Sequence, residues 1–289
     1  MKIFFCALIV FISGVELLQA QVVPPPDTLE IGGVVVIRDN NDTVYSEPKR
    51  TLFKKFNTMI TPKKVTTEYL TLDLGFSGFK DATDYTSDAA QAYAPGSNEN
   101  WFEIRPFKSR NVNLWLVSQK MSLIGDIMYL KYSLGWEFNN YRYKQPIRYD
   151  AEAPDLADAP VVSLDESVTR KYRKNKLATD YLTVPVLLNF NLTPNRLYNF
   201  SVSAGVSAGY LTGSRNKVKT SDEGKQKARD DFDLNHWKLS YVGDITLGVI
   251  TLYGSYAFKS MYSRGLDMTP YNVGVRIRPM GLLNKLETP

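Results

Sequence analysis

Between residues 69 and 277 apolar and polar side chains alternate in segment after segment, and this period of two constrains the 289-residue chain more than any other feature. A strand turns successive side chains to opposite faces, so the alternation specifies sheet with one oily and one wet face. Eight segments carry it. Leu70, Leu72, Leu74 and Phe76 alternate with Thr71, Asp73, Gly75 and Ser77; Val112, Leu114 and Leu116 alternate with Asn111 and Asn113. Met128, Leu130, Tyr132, Leu134, Trp136 and Phe138 stand against Lys131, Ser133, Gly135, Glu137 and Asn139. The fourth holds Leu182, Val184, Val186, Leu188 and Phe190, the fifth spans 198–210, and the last three lie at 237–247, 250–258 and 271–277.

Outside the first twenty residues no stretch offers about 18 consecutive apolar residues, so no helix of the mature chain can cross a bilayer. With 44% hydrophobic and 22% charged residues the chain is nonetheless too apolar for disorder and too polar for a bundle of membrane helices. The segments between strands decide among the remaining folds. Those at 80–103, 144–176, 212–235 and 260–269 are long and polar, and those between are short, 191–196 most clearly. Long loops at one end and tight turns at the other are the pattern of an outer-membrane barrel. The expectation is an all-β fold, an eight-stranded antiparallel transmembrane β-barrel over 68–280, monomeric, in a Gram-negative outer membrane with both termini periplasmic.

Only a closed sheet leaves no backbone groups unpaired in hydrocarbon, so the apolar set must face outward to lipid. Tyr198 and Phe200 then mark one aromatic girdle and Tyr210 the other, with Trp136, Phe138 and Tyr141 joining the outer belt. The inward set includes Asp73, Lys131, Glu137, Asp244 and Arg276. Eight strands enclose only enough space for side chains, and charges there need partners, which predicts a mutually paired polar plug. Closure sets the eighth strand beside the first, bringing Arg276 to Asp73. Pro185, in the middle of the fourth strand, cannot donate to a ladder and is assigned to a bulge.

The flanks read differently. Lys2, the apolar run 3–15 and Leu18-Gln19-Ala20 form the pattern of a signal peptide over 1–20. Its removal would take Cys6, the single cysteine, leaving no disulfide and no thiolate metal site. Residues 21–67 read as a periplasmic arm: Pro24, Pro25 and Pro26 are extended, and 29–37, a turn at 39–42 and 43–45 suggest a small hairpin. Lys49, Arg50, Lys54, Lys55, Lys63 and Lys64 follow, as a solvated tether or as a contact with anionic lipid or a periplasmic protein. Residues 281–289 form a tail. The excess of 35 basic over 30 acidic residues is spread through the chain and gives no reason to expect nucleic acid.

Catalytic signals are sparse. Gly205-Val206-Ser207-Ala208-Gly209 matches the G-x-S-x-G elbow, but that motif needs a strand-to-helix turn and this one lies inside an alternating strand. His236, the single histidine, is the base that any triad must use, and it stands beside Asp231 and Asp233. The cluster Asp230, Asp231 and Asp233 lacks the glycine and terminal glutamate of a calcium loop. No catalytic, cofactor or metal site is expected. The loop at 144–176 carries seven basic and six acidic residues, the composition of a solvated loop or of a protein or glycan contact.

Tyr181-Leu182-Thr183-Val184-Pro185-Val186-Leu187-Leu188-Asn189-Phe190, followed by Ser203-Ala204-Gly205-Val206-Ser207-Ala208-Gly209-Tyr210, resembles the PorT-like outer-membrane barrels of Bacteroidota. The resemblance spans roughly 68–280. It implies an eight-stranded barrel with proline in the fourth strand, and a link to type IX protein secretion through the family's namesake. The final strand departs from the usual pattern, running through Arg276, Ile277 and Arg278 into Pro279 instead of ending on an aromatic. The function expected is a non-catalytic barrel, acting through loops and arm as a surface binding module or an accessory of export. A rim hydrolase or acyltransferase using His236 is the alternative.

Overall fold

A computed structural model describes residues 28–31, 34–37, 65–150, 160–167, 171–193 and 200–278. The signal segment, most of the arm, Tyr198 and the tail lie outside them. The chain divides into two units, Met1–Thr58 and Met59–Pro289.

In the first unit β1 (Thr28–Ile31) pairs antiparallel with β2 (Val34–Ile37), Thr28 opposite Ile37. The hairpin therefore closes inside the segment expected to be one of its arms. Gly32-Gly33, between the strands in sequence, is the kind of pair that two-residue hairpin turns favour, and the turn expected at 39–42 lies outside the described residues. Residues 43–45 lie outside the described residues.

The second unit runs β3 (Val65–Asp81), α1 (Asp88–Tyr93), a 3-10 turn (Pro106–Lys108), β4 (Arg110–Ile124) and β5 (Met128–Arg142). Next come β6 (Ile147–Tyr149), β7 (Val162–Leu164), β8 (Tyr172–Asn191), β9 (Phe200–Thr220) and β10 (Lys225–Ala228). β11 (Trp237–Leu247), β12 (Ile250–Ala257) and β13 (Met268–Ile277) complete it. Eight strands form a ring in the order β3-β4-β5-β8-β9-β11-β12-β13, and β13 returns to β3 with Arg276 opposite Asp73. The ring leaves no free edge, the condition for a sheet in hydrocarbon. Its outer face carries Phe76, Val186, Val206, Leu239 and Val273 exposed, while Asp73, Ser77, Asn139, Ser203 and Thr246 are buried inside. Gly248, at φ +62, forms with Val249 the tight β11–β12 turn, a backbone region that favours glycine.

Pro185 is not at a bulge. The ladder from β8 to β9 runs through Pro185 opposite Ser207 without a shift, and the ladder to β5 is open between Gly135–Thr183 and Tyr132–Val186 with its register kept. The missing N–H is accommodated by a gap in one ladder instead of by an extra residue. Irregularity falls elsewhere. Leu70 (φ 54) and Leu116 are both skipped between β3 and β4, and the β4–β5 register slips between Trp115 and Val117. On the turn side of this point the alternation slips by one, which brings Glu68 and Ser118 to the lumen side.

The long loops form a core of their own. Tyr93, Phe102, Tyr143, Ile147, Tyr149, Val161, Phe232, Leu234, Met261, Tyr262 and Met268 are buried against one another, and every long connection contributes. Of the two readings open for these loops, the described residues are not those of loops solvated throughout. Polar composition hides enough Tyr, Phe and Met to dry the centre of a cap closing over the loop end. Tyr141, expected in the outer belt, points into this core and is 1% exposed. Ser87 caps α1 by accepting from the Ala90 N–H at 3.3 Å. Gly265 (φ +76) packs so close that a Cβ there would stand 2.4 Å from that of Tyr93.

Candidate functional site

Three places could carry function: the lumen, the rim at His236, and the cap.

In the lumen, adjacent strands project short polar side chains at each inward position, close enough for one continuous network. Asp73, fully buried, accepts from Arg276 Nε at 2.7 Å and Nη2 at 3.0 Å, from Trp115 Nε1 at 2.7 Å and from Asn113 at 3.3 Å. Arg276 also stands 3.5 Å from Asp244, which accepts from Lys131 and Ser203, each at 2.7 Å. Glu137 pairs with Lys238 and accepts from Asn139 and Asn272, each at 3.0 Å. Asn111 joins the groups, donating to Asn113 at 2.8 Å and Asn139 at 2.9 Å while accepting from Tyr253. All five charged residues singled out in the sequence thus sit in this network. Lys238, Trp115 and Tyr253 were not singled out. Alternation alone places Lys238 and Tyr253 inward, and Trp115 escapes because an indole reads as a lipid-facing residue. The space left at mid-barrel is about 40 Å³, room for no more than a few waters. A wider vestibule of about 330 Å³ opens at the turn end, where Arg278 reaches Glu68 at 3.2 Å.

Side chains fill most of the waist and leave only a small void there. Reconstituted into planar bilayers the barrel is expected to give no resolvable single-channel steps, and porin-like conductance would contradict the packing of Asp73, Trp115, Tyr253 and Arg276.

At the rim, His236 is 55% exposed, its Nε2 3.9 Å from Asp231 and its ring 6.2 Å from that of Tyr210. It borders a crevice of about 440 Å³ between β11 and β12, shared with Lys238, Trp237, Phe258 and Ser260. The one hydroxyl in that lining besides tyrosine is committed elsewhere. Ser260 Oγ donates to the Leu266 carbonyl at 3.0 Å and accepts from the N–H groups of Tyr262 and Met268 at 3.1 and 3.0 Å. A base needs a nucleophile within hydrogen-bond reach, and this one is a structural clasp. Ser207 of the G-x-S-x-G sequence is buried inside β9, opposite Pro185. Among the described residues no group of three or more His, Cys, Asp or Glu could hold a metal ion.

Of the girdle residues, Trp136, Phe138, Phe200 and Tyr210 are half-buried on the outward face, and Tyr198 lies outside the described residues. The ring of Tyr210 meets Trp237 edge-on at 5.1 Å. Phe107, 81% exposed beside Phe76 at 5.9 Å, adds an aromatic on the same outer face that alternation could not find because it sits in a loop.

In the cap, Tyr149 is the hub. Its hydroxyl lies 2.7 Å from those of both Tyr143 and Tyr262, and its ring meets Phe232 at 5.1 Å. Tyr93 donates to the Phe232 carbonyl at 2.8 Å. Burial pushes the Tyr143 hydroxyl up to about 12, so the trio stays protonated at neutral pH. On the cap's flank Arg148 ties Tyr172, Glu223 and Gln226 together.

A closed eight-stranded ring with an oily exterior and a paired polar interior defines a membrane barrel, and the sequence places it more finely. Residues 74–263 match the family of outer membrane protein beta-barrel domains, and the chain belongs to that family and to the outer membrane. Among solved structures it is similar to Ail, the attachment invasion locus protein of Yersinia pestis. That similarity has 11% identity and a TM-score of 0.29, over 73% of this chain and 98% of that one. The same Yersinia pestis protein in complex with the heparin analogue sucrose octasulfate matches at 10% identity and a TM-score of 0.27, with the same coverage of 73% and 98%. No curated protein matches the sequence.

Proposed function

We propose that the protein is a non-catalytic surface binding module, its sealed barrel holding an ordered cap on the cell exterior with both termini in the periplasm. The observation that carries this reading is the dry aromatic core built from every long loop. Ordering four loops costs conformational entropy, and a chain that needed only to span the membrane could leave them solvated. An ordered platform on a rigid scaffold is what recognition requires. Ser260, the serine bordering the crevice at His236, is held by its own hydrogen bonds to the loop, so the arrangement there gives no positive reason to read a serine hydrolase. The PorT-like kinship and a role in export belong to the same reading through the arm at 21–67, most of which lies outside the described residues.

The test uses the barrel in nanodiscs on glycan and surface-protein arrays, with His236→Ala and a cap-disrupted variant alongside. Binding kept in His236→Ala and lost with the cap is the expected result. Cleavage or acyl transfer on phospholipid or peptide substrates that disappears in His236→Ala would sink it in favour of a rim enzyme.

A further inference from the structure

Above the outer girdle, β5, β8 and β9 continue past the barrel, and β10 joins β9, so four strands make a free-standing sheet. One face is buried: Asn175, Leu177, Asn216 and Val218 turn toward the cap. The other face carries cations opposite cations. Arg142 pairs with Lys176, Lys176 with Lys217 and Lys217 with Lys227, one row across all four strands. In the next row Lys174 pairs with Lys219 and Lys219 with Lys225.

Like charges directly opposite destabilise a sheet. Lysines that guard an exposed edge would account for Lys225 and Lys227 on β10, but not for Lys176 on β8 or Lys217 and Lys219 on β9, which are paired on both sides. Among the described residues none of the seven meets a carboxylate; the nearby Asp180 is taken by Arg215 at 2.6 Å. Burial first, then Lys174, Lys217 and Arg215, bring Lys176 down to about 8, with Asp180 pulling the other way.

The rack continues a face already committed to lipid. On the same strands, lower down, Val184, Val186 and Val206 lie exposed on the barrel exterior. Lys176 stands six residues beyond Leu182, which faces Tyr210 of the girdle. At about 3.3 Å per residue and a tilt of about 40° this puts it roughly 15 Å above the girdle. A glycolipid whose acyl chains lie against the valines would carry its sugars past the girdle, and phosphates on those outer sugars would meet the lysines.

We propose that the outward face of β8, β9 and β10 binds the phosphorylated core sugars of an outer-leaflet glycolipid, with Lys174, Lys176, Lys217 and Lys219 as its phosphate contacts. The inference rests on the orientation given under the proposed function. That orientation is read separately: Lys219→Cys must react with an impermeant maleimide on intact cells, and if it does not, both readings fall.

The barrel is placed in phosphatidylethanolamine nanodiscs with a lipopolysaccharide phosphorylated on its core sugars or its dephosphorylated form, and bound glycolipid is counted by native mass spectrometry. Retention of the phosphorylated form is expected to exceed that of the dephosphorylated form by at least about tenfold, as charge-assisted bonds to several phosphate oxygens require. Replacing the four lysines by Gln should abolish the difference without lowering the melting temperature, because like-charge opposition is relieved. Should that variant not fold, the wild-type preference must still fall steeply between low and high salt. Equal retention of the two lipids, a preference insensitive to salt, or a folded Gln variant that keeps it overturns the proposal. So does a soluble sulfated polysaccharide that binds the lysines and leaves lipid retention unchanged.

Discussion

Arg276→Met is expected to lower the melting temperature of the detergent-solubilised barrel by roughly 10 °C, the shift that about 3–5 kcal/mol produces in a domain of this size. Methionine keeps the volume but leaves Asp73 with no cation, and Asp73 is fully buried. Trp115 and Asn113 still donate to it, which satisfies hydrogen bonds but does not neutralise the charge. Asp244 also loses a neighbour but keeps Lys131 at 2.7 Å, so the main loss lies at Asp73. The control is a second substitution. Adding Asp73→Asn removes the orphaned charge while keeping an acceptor for the indole, and most of the lost stability should return. An unchanged melting temperature in the single variant would mean that the charge finds water, and that the waist is not dry.

Tyr149→Ala should open the cap without unfolding the barrel. The ring is 3% exposed and lies between Tyr143 at 6.2 Å and Phe232 at 5.1 Å, and truncating a buried aromatic of this kind costs about 3–5 kcal/mol. That is enough to melt a structure made of loops. Limited proteolysis should cut within 80–103, 144–176 and 212–235, where the wild-type protein resists, while the barrel keeps its heat-modifiable migration on gels. Tyr149→Phe separates hydroxyl from ring. It leaves the hydroxyls of Tyr143 and Tyr262 without their shared partner and should cost about 1–3 kcal/mol, intermediate in protease sensitivity. Wild-type loops already cut as fast as those of Tyr149→Ala would mean the cap is not packed in solution.

Both predictions concern residues that the alternation treats unequally. Asp73 and Arg276 are legible because two facts suffice: each lies at an inward position, and closing an eight-stranded ring puts the last strand beside the first. Lys238 was equally legible by position, since it sits between the outward Trp237 and Leu239, but nothing local pointed to Glu137, 101 residues earlier, as its partner. Trp115 and Tyr141 share the parity of the inward residues Asn113 and Asn139, so alternation itself places them inside; the outer belt claims Tyr141 on its aromatic character alone, against that parity. For Pro185 the physical difficulty was visible and the solution was not, because a gap in one ladder or a bulge depends on what the adjacent strand can forgo.

By itself the sequence determined the barrel, its oily exterior and its charged interior, because period-two alternation is a local property that hydrocarbon enforces at every strand. Only the tertiary structure decided the cap and the lysine rack. Tyr93, Tyr149, Phe232 and Tyr262 share no period, and Lys176, Lys217 and Lys227 become neighbours only once register is fixed. Burial by distant loops and opposition across strands are relations between segments, and no single stretch of chain contains them.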